Sequence, residues 1–210
     1  MLTAHGGALK TGRNSKAYFE LMSKLNADAI EVDIRSKKGE LFLGHTHIPF
    51  FKKDRIPFTF VLEFCKKYNK RVNCDVKEKG LVKPIQRLAE EMGIEHLIYF
   101  TGSVSPEEVK DLGKCELYVN DTFLLPKFLI NSHNLPKIKE YLDSFNAPGL
   151  KGLNVNYLYV SKKVCLEAKA LGMGVSVYTI DDEKALEELV NIGLDNVTTN
   201  KIDVALSKRK

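Results

Sequence analysis

The sequence predicts an α/β fold, a closed (β/α)₈ barrel, and three observations carry that expectation. Eight short runs rich in β-branched and apolar residues alternate with stretches of helical period, the sequence form of a parallel sheet built from βα units. The chain has 210 residues, 44% of them hydrophobic, enough for one core but near the short end for such a barrel, so its loops must be lean. Ionisable residues fall at the C-terminal ends of several runs, where a barrel keeps its active-site mouth. One domain over residues 1–210 is therefore expected.

The strands fall at residues 2–4, 29–34, 72–76, 97–101, 116–119, 152–155, 175–180 and 196–199, each followed by a helix. Apolar spacing marks the helices in Tyr18, Phe19, Met22 and Leu25, in Leu81, Val82, Ile85, Leu88 and Met92, and in Ala185, Leu186, Leu189 and Val190. Ser105-Pro-Glu-Glu108 reads as a capping box with proline at the first helical position, and Ser161 precedes another helix. Gly172 and Gly193 fit left-handed C-terminal caps. One extra element breaks the rhythm. Ser36-Lys-Lys-Gly39 is a tight turn, and residues 40–44 return antiparallel to the second strand, which brings His45 to the level of Glu31 and Asp33.

The second strand carries the most informative pattern. In Ala29-Ile-Glu31-Val-Asp33-Ile34 the two carboxylates share one face of the strand, while Ile30, Val32 and Ile34 share the other. Adjacent buried carboxylates repel, so a metal ion or a proton must neutralise them. In Val72-Asn-Cys-Asp75-Val-Lys77, alternation sets Asn73, Asp75 and Lys77 together and adds a third acid and an amine. The strand ends thus gather His5, Glu31 with Asp33, Asp75 with Lys77, and Tyr178 around one mouth, with His45 delivered by the hairpin. Gly6 and Gly7 after His5 allow a ligand to approach the backbone closely. His47, His96 and His133 lie in loops or before a strand and are assigned no chemistry.

Composition excludes several classes. No run approaches the ~20 apolar residues of a membrane span, and no signal peptide is evident, so stable membrane insertion is not expected and the location is read as cytoplasmic. The net charge of +5 comes from lysines spread along the chain, so no nucleic-acid partner is expected. The tail Lys208-Arg209-Lys210 is read as a solvated, frayed end, and the mild positive potential suits an anionic small substrate. Cys65, Cys74, Cys115 and Cys165 are too scattered for a metal motif and read as reduced structural thiols.

Several stretches, in order, resemble the glycerophosphodiester phosphodiesterase family. They are Ala4-His5-Gly6-Gly7, Asn14-Ser15, Asn26-Ala27-Asp28-Ala29-Ile30-Glu31-Val32-Asp33, Lys38-Gly39, His45-Thr46, Asp75-Val76-Lys77, Gly174-Val-Ser-Val-Tyr178-Thr-Ile and Gly193-Leu-Asp-Asn-Val-Thr-Thr-Asn200. The resemblance implies hydrolysis of a glycerophosphodiester to glycerol 3-phosphate and an alcohol, a reaction of lipid metabolism, with a bound divalent cation, magnesium or calcium. By the same resemblance Glu31, Asp33 and Asp75 are metal ligands. His5 and His45 are general base and general acid, with a pKa that suits both directions. Lys77 is a second positive contact to the phosphate, and Tyr178 shapes the pocket wall.

The departures bear on activity. Gly6 stands where the family carries an arginine that grips phosphate, and Arg13 is the candidate to reach it from another direction. Asp75 is one methylene shorter than the family's glutamate, and Thr46 and Asn200 replace aspartates. Residues 48–58 form only a short connection where typical members insert a small subdomain, so the mouth should be more open and admit a larger substrate such as a lysolipid or a polymer end. Phe50, Phe51 and Phe58 would line it or pack against the second helix. Two alternatives stay open. One is a catalytically impaired phosphate-binding or regulatory relative of the same barrel, and the other is a metal-independent phospholipase or lyase that uses the two histidines alone.

Overall fold

The computed structural model describes residues 1–46, 55–104 and 106–210. Among these residues nine strands form one sheet: β1 (Leu2–Ala4), β2 (Ala29–Lys37), β3 (Glu40–Leu43), β4 (Arg71–Val76), β5 (Ile98–Gly102), β6 (Glu116–Asn120), β7 (Leu150–Asn156), β8 (Gly174–Tyr178) and β9 (Asn196–Thr199). Eight run parallel in the order β1-β9-β8-β7-β6-β5-β4-β2, and β1 pairs with β2 to close the barrel. The helices are α1 (Lys16–Met22), α2 (Phe58–Tyr68), α3 (Val82–Glu91), α4 (Asp121–Leu124), α5 (Leu135–Asp143), α6 (Lys162–Ala170), α7 (Glu183–Val190) and α8 (Ile202–Lys208).

β3 is the additional strand, hydrogen-bonded antiparallel to the outer part of β2 in the register Lys37↔Glu40 to Ile34↔Leu43. Its two-residue turn places Lys38 and Gly39 both at positive φ, the geometry whose twist suits a tight hairpin. Beyond the strand, the Gly44 N–H donates to the Asp33 carbonyl at 3.0 Å, so the chain continues back along β2 and sets His45 beside the mouth.

Strand alternation divides the barrel wall into two faces. Outward-facing Ile30, Val32, Ile34, Val72, Val76 and Phe100 are buried against helix residues such as Phe19, Leu62 and Ile85. Each such side chain contributes roughly 1.5–3 kcal/mol. The inward face is polar and buried: Thr3, Asn73, Thr101, Asn154, Ser176, Asn196 and Thr198. The floor is closed by Tyr99 against Tyr118, with Arg71 paired to Glu116 and lying over the Tyr99 ring.

Two expectations change. The stretch between β5 and β6 holds a 3₁₀ helix, Pro106–Asp111, in place of an α-helix. The connection from Gly102 to Glu116 is short, and the tighter turn still buries Val109 and Leu112. Ser105 of the expected capping box lies outside the described residues, as do His47, Phe50 and Phe51, whereas Phe58 is fully buried in α2. The C-terminal tail is docked: Arg209 forms a two-pronged pair with Asp28, at 2.7 and 3.1 Å, and Lys208 reaches Glu187. The four cysteines are free and buried as expected. No helix among the described residues is long and apolar enough to cross a membrane.

Candidate active site

A cavity of about 210 Å³ opens at the C-terminal ends of the barrel strands and is lined by His5, Glu31, Asp33, His45, Asp75, Lys77 and Tyr178, above Asn73, Asn120 and Asn154. Seven of the eight residues singled out in the sequence therefore meet in one place. Arg13 is the exception. It is exposed and does not line the cavity, but its backbone packs beside Gly7 and its charge acts on both histidines. A larger groove, about 1020 Å³, lies outside the barrel between the hairpin, α2 and α3. Among the described residues that line it there is no histidine and no carboxylate cluster, so the smaller cavity is the candidate site.

Glu31, Asp33 and Asp75 each turn a carboxylate oxygen inward, all within 4.8 Å of one another. The parallel register Asp33↔Asp75 sets two of them side by side, and Glu31 lies two residues below Asp33 on the same face. Glu31 is 3% exposed, and burial, with repulsion from Asp75 and Asp33, pushes its carboxyl up to about 8. The Gly6 N–H, at 2.6 Å, and Lys77 pull in the other direction without cancelling it. Burial also raises Asp75, against the opposing pull of Lys77. A carboxyl that would stay protonated at neutral pH beside two other acids is a site short of positive charge. A hard divalent cation suits these three oxygen donors, so the residues present fit the group that the resemblance implies.

Among the described residues, Lys77 is the cation within the cluster. Its ammonium lies 2.7 Å from Asp33 Oδ1 and 2.5 Å from Asp75 Oδ2, and although burial works against its charge, the two carboxylates hold its pKa above the ordinary value.

His5 Nε2 lies 3.6 Å from Glu31 Oε2, while its Nδ1 lies 2.9 Å from Asn200 Oδ1. Burial lowers the His5 pKa, opposed by the Asn200 bond, so the ring favours its neutral form. His45 is exposed and lines the same cavity, and partial burial lowers its pKa as well, opposed by Asp33 and reinforced by Arg13. His96 and His133 are exposed and away from the cavity.

Three supporting residues escaped sequence reading. Asn14 clamps Asp33, donating from Nδ2 to Oδ2 at 2.8 Å and accepting the Asp33 N–H at 3.2 Å. Asp121 accepts the Tyr178 hydroxyl at 2.9 Å and the Asn156 N–H at 2.8 Å, which fixes the aromatic wall to β7. Asp181 holds Asn200 by its side-chain and backbone N–H groups. Nothing near these residues in sequence marks them, because each acts on a partner 19 or more positions away. Asn14 alone had a signal, its place in the Asn14-Ser15 stretch, where Ser15 caps α1 through the Tyr18 N–H.

Two glycines make room for the acids. A Cβ on Gly102, which has φ +84°, would stand 2.2 Å from Asp75 Oδ1. A Cβ on Gly6 would meet the Glu31 carbonyl at 3.0 Å and Oε2 at 3.3 Å. Where the resemblance would place arginine, this chain instead brings the Glu31 carboxylate close against the backbone.

No family model and no curated protein matches the sequence. Solved structures do. A glycerophosphodiester phosphodiesterase from Parabacteroides distasonis superposes with a TM-score of 0.78 at 19% identity, over 98% of this chain and 94% of that one. One from Agrobacterium tumefaciens gives 0.74 at 15%, over 99% and 98%. A phosphodiesterase from Oleispira antarctica, solved with its product sn-glycerol-3-phosphate, gives 0.71 at 18%, over 99% and 96%. At such identities the likeness speaks for the backbone: this chain has the barrel fold of the solved glycerophosphodiester phosphodiesterases.

Proposed function

We propose that the chain is a metal-dependent phosphodiester hydrolase that cleaves glycerophosphodiesters to glycerol 3-phosphate and an alcohol. The observation that carries this reading is the meeting of Glu31, Asp33 and Asp75 within 4.8 Å at a barrel mouth that also holds His5, His45 and Lys77. The product named for the Oleispira structure is consistent with it.

A divalent cation, magnesium or calcium, held by Glu31, Asp33 and Asp75 would neutralise negative charge on the phosphate. Lys77 adds a second positive contact at the same edge. His5, neutral, takes the proton from the attacking oxygen. His45 gives a proton to the leaving alkoxide, and the negative charge of a bound diester offsets the burial and the Arg13 charge that depress its pKa. Arg13 is the candidate for the phosphate contact that Gly6 does not provide, and Tyr178 bounds the pocket.

The test is an assay of wild type and His45→Ala on glycerophosphocholine with added magnesium, calcium or manganese. Turnover by the wild type and its loss in the variant support the reading. Absence of turnover with every cation supports the impaired, phosphate-binding alternative, and full activity after exhaustive chelation supports the metal-independent one.

The rim favours a substrate with an apolar part. Leu125 and Leu129 follow β6, and Leu158 and Tyr159 follow β7, the strand opposite β2 in the ring, and all four side chains are exposed. A lysophosphatidylcholine below its micelle concentration should then exceed glycerophosphocholine in kcat/KM, and equal values would remove this preference.

A further inference from the structure

We propose that Asn200 and Asp181 are positioning residues that lock His5 in the tautomer with hydrogen on Nδ1, leaving Nε2 as a bare acceptor facing the cavity. The reading of His5 as the base rests on the proposed function, but the tautomer does not.

The geometry is a chain of three groups. His5 Nδ1 lies 2.9 Å from Asn200 Oδ1, Asn200 Nδ2 donates to Asp181 Oδ2 at 2.8 Å, and the Asn200 backbone N–H donates to Asp181 Oδ1 at 2.9 Å. The carboxylate takes two donors from one residue, and the Thr199 hydroxyl adds a third at 3.4 Å. An amide whose nitrogen is bound to a carboxylate must turn its oxygen the other way. Flipping it would set Oδ1 against an ionised oxygen and strand the amide nitrogen, which disfavours the alternative. Asn200 therefore presents an acceptor, and the facing ring nitrogen must donate. Only one nitrogen of a neutral imidazole carries hydrogen, so Nε2 is left unprotonated.

This gives meaning to a departure that looked like a loss. An aspartate at position 200 would accept from His5 directly. Asn200 keeps the acceptor, and the charge that orients it sits one residue further back, on Asp181.

The test is ¹⁵N NMR of histidine-labelled protein, with the His5 signals assigned from His5→Gln. In wild type at neutral pH, Nδ1 should show the protonated shift and Nε2 the unprotonated one. Asp181→Ala and Asn200→Leu each remove the bias, and each should lower kcat about tenfold or more with KM within about threefold, since a wrong tautomer blocks the base without changing the pocket. The double variant Asn200→Asp, Asp181→Asn exchanges amide and acid and should restore both the tautomer and the activity. Unchanged His5 shifts in both single variants, or a lost tautomer in the exchanged pair, overturns the proposal. A lost tautomer with wild-type kcat upholds the lock and overturns His5 as the base. If the tautomer behaves as stated while the wild type turns over no diester, the hydrolase reading alone fails.

Discussion

The barrel interior holds two polar regions, and they solve the same problem in opposite ways. In the middle layer, Thr3 donates to Asn196, Asn196 to Ser176 and Thr198, Ser176 to Asn154, and Asn154 to Asn120, while Thr101 donates to Asn73. All these groups are neutral, and each finds a partner inside the wall. At the mouth, three carboxylates face one ammonium, and one of them is pushed up to about 8. The lower layer is polar and complete, and the upper layer is polar and short of a cation. Buried polarity that satisfies itself holds the barrel together, whereas buried polarity left in excess marks where something else binds.

The largest effect expected is on the mouth. Glu31→Gln, or removal of divalent ions, should lower kcat/KM roughly a thousandfold while leaving the ion-free protein at least as stable at neutral pH. Loss of stability with retained turnover would contradict the contrast. His5→Ala should cost roughly 10²- to 10⁴-fold in kcat/KM. Because burial keeps His5 neutral, the acid limb of the kcat/KM profile should fall below the ordinary histidine value of 6.5.

Gly102→Ala should weaken cation affinity by roughly tenfold or more, since its methyl group invades the space of Asp75. In the neutral layer the balance reverses. Asn196→Ala should cost roughly 1–3 kcal/mol in a denaturant melt, because it takes one buried partner each from the Thr3, Ser176 and Thr198 hydroxyls, yet leave kcat/KM near wild type.

The last expected effect is a dependence of stability on pH without metal. Glu31 titrates at about 8 in the fold against an ordinary 4.5, so the folded state binds its proton more tightly than the unfolded chain does. The stability this gives is complete below pH 4.5 and is lost as the pH rises through about 8. Melting curves of the ion-free protein should decline over that window, Glu31→Gln should flatten them, and a divalent cation should reverse the decline.

Much of this was legible in the sequence because it is written in short periods. Two-residue alternation set Glu31 and Asp33 on one face, Lys38-Gly39 fixed the hairpin register, and that register carried His45 to the mouth. The neutral layer was not legible, since threonine, serine and asparagine in a strand do not reveal that Thr3 will meet Tyr99 across the barrel. Asp121 and Asp181 were hidden for the same reason, their partners being fixed only when the ring closes. Ser105-Pro-Glu-Glu108 misled, because local helix signals cannot lengthen a connection that the strand spacing keeps short.

Isothermal titration of metal-stripped protein with magnesium, calcium or manganese at pH 7 tests the acid cluster most directly. One site should fill, releasing up to about one proton as Glu31 ionises, and the site should vanish in Glu31→Gln and in Asp75→Asn. No binding by the wild type, or binding that survives both substitutions, would contradict the assignment of these three carboxylates to a cation.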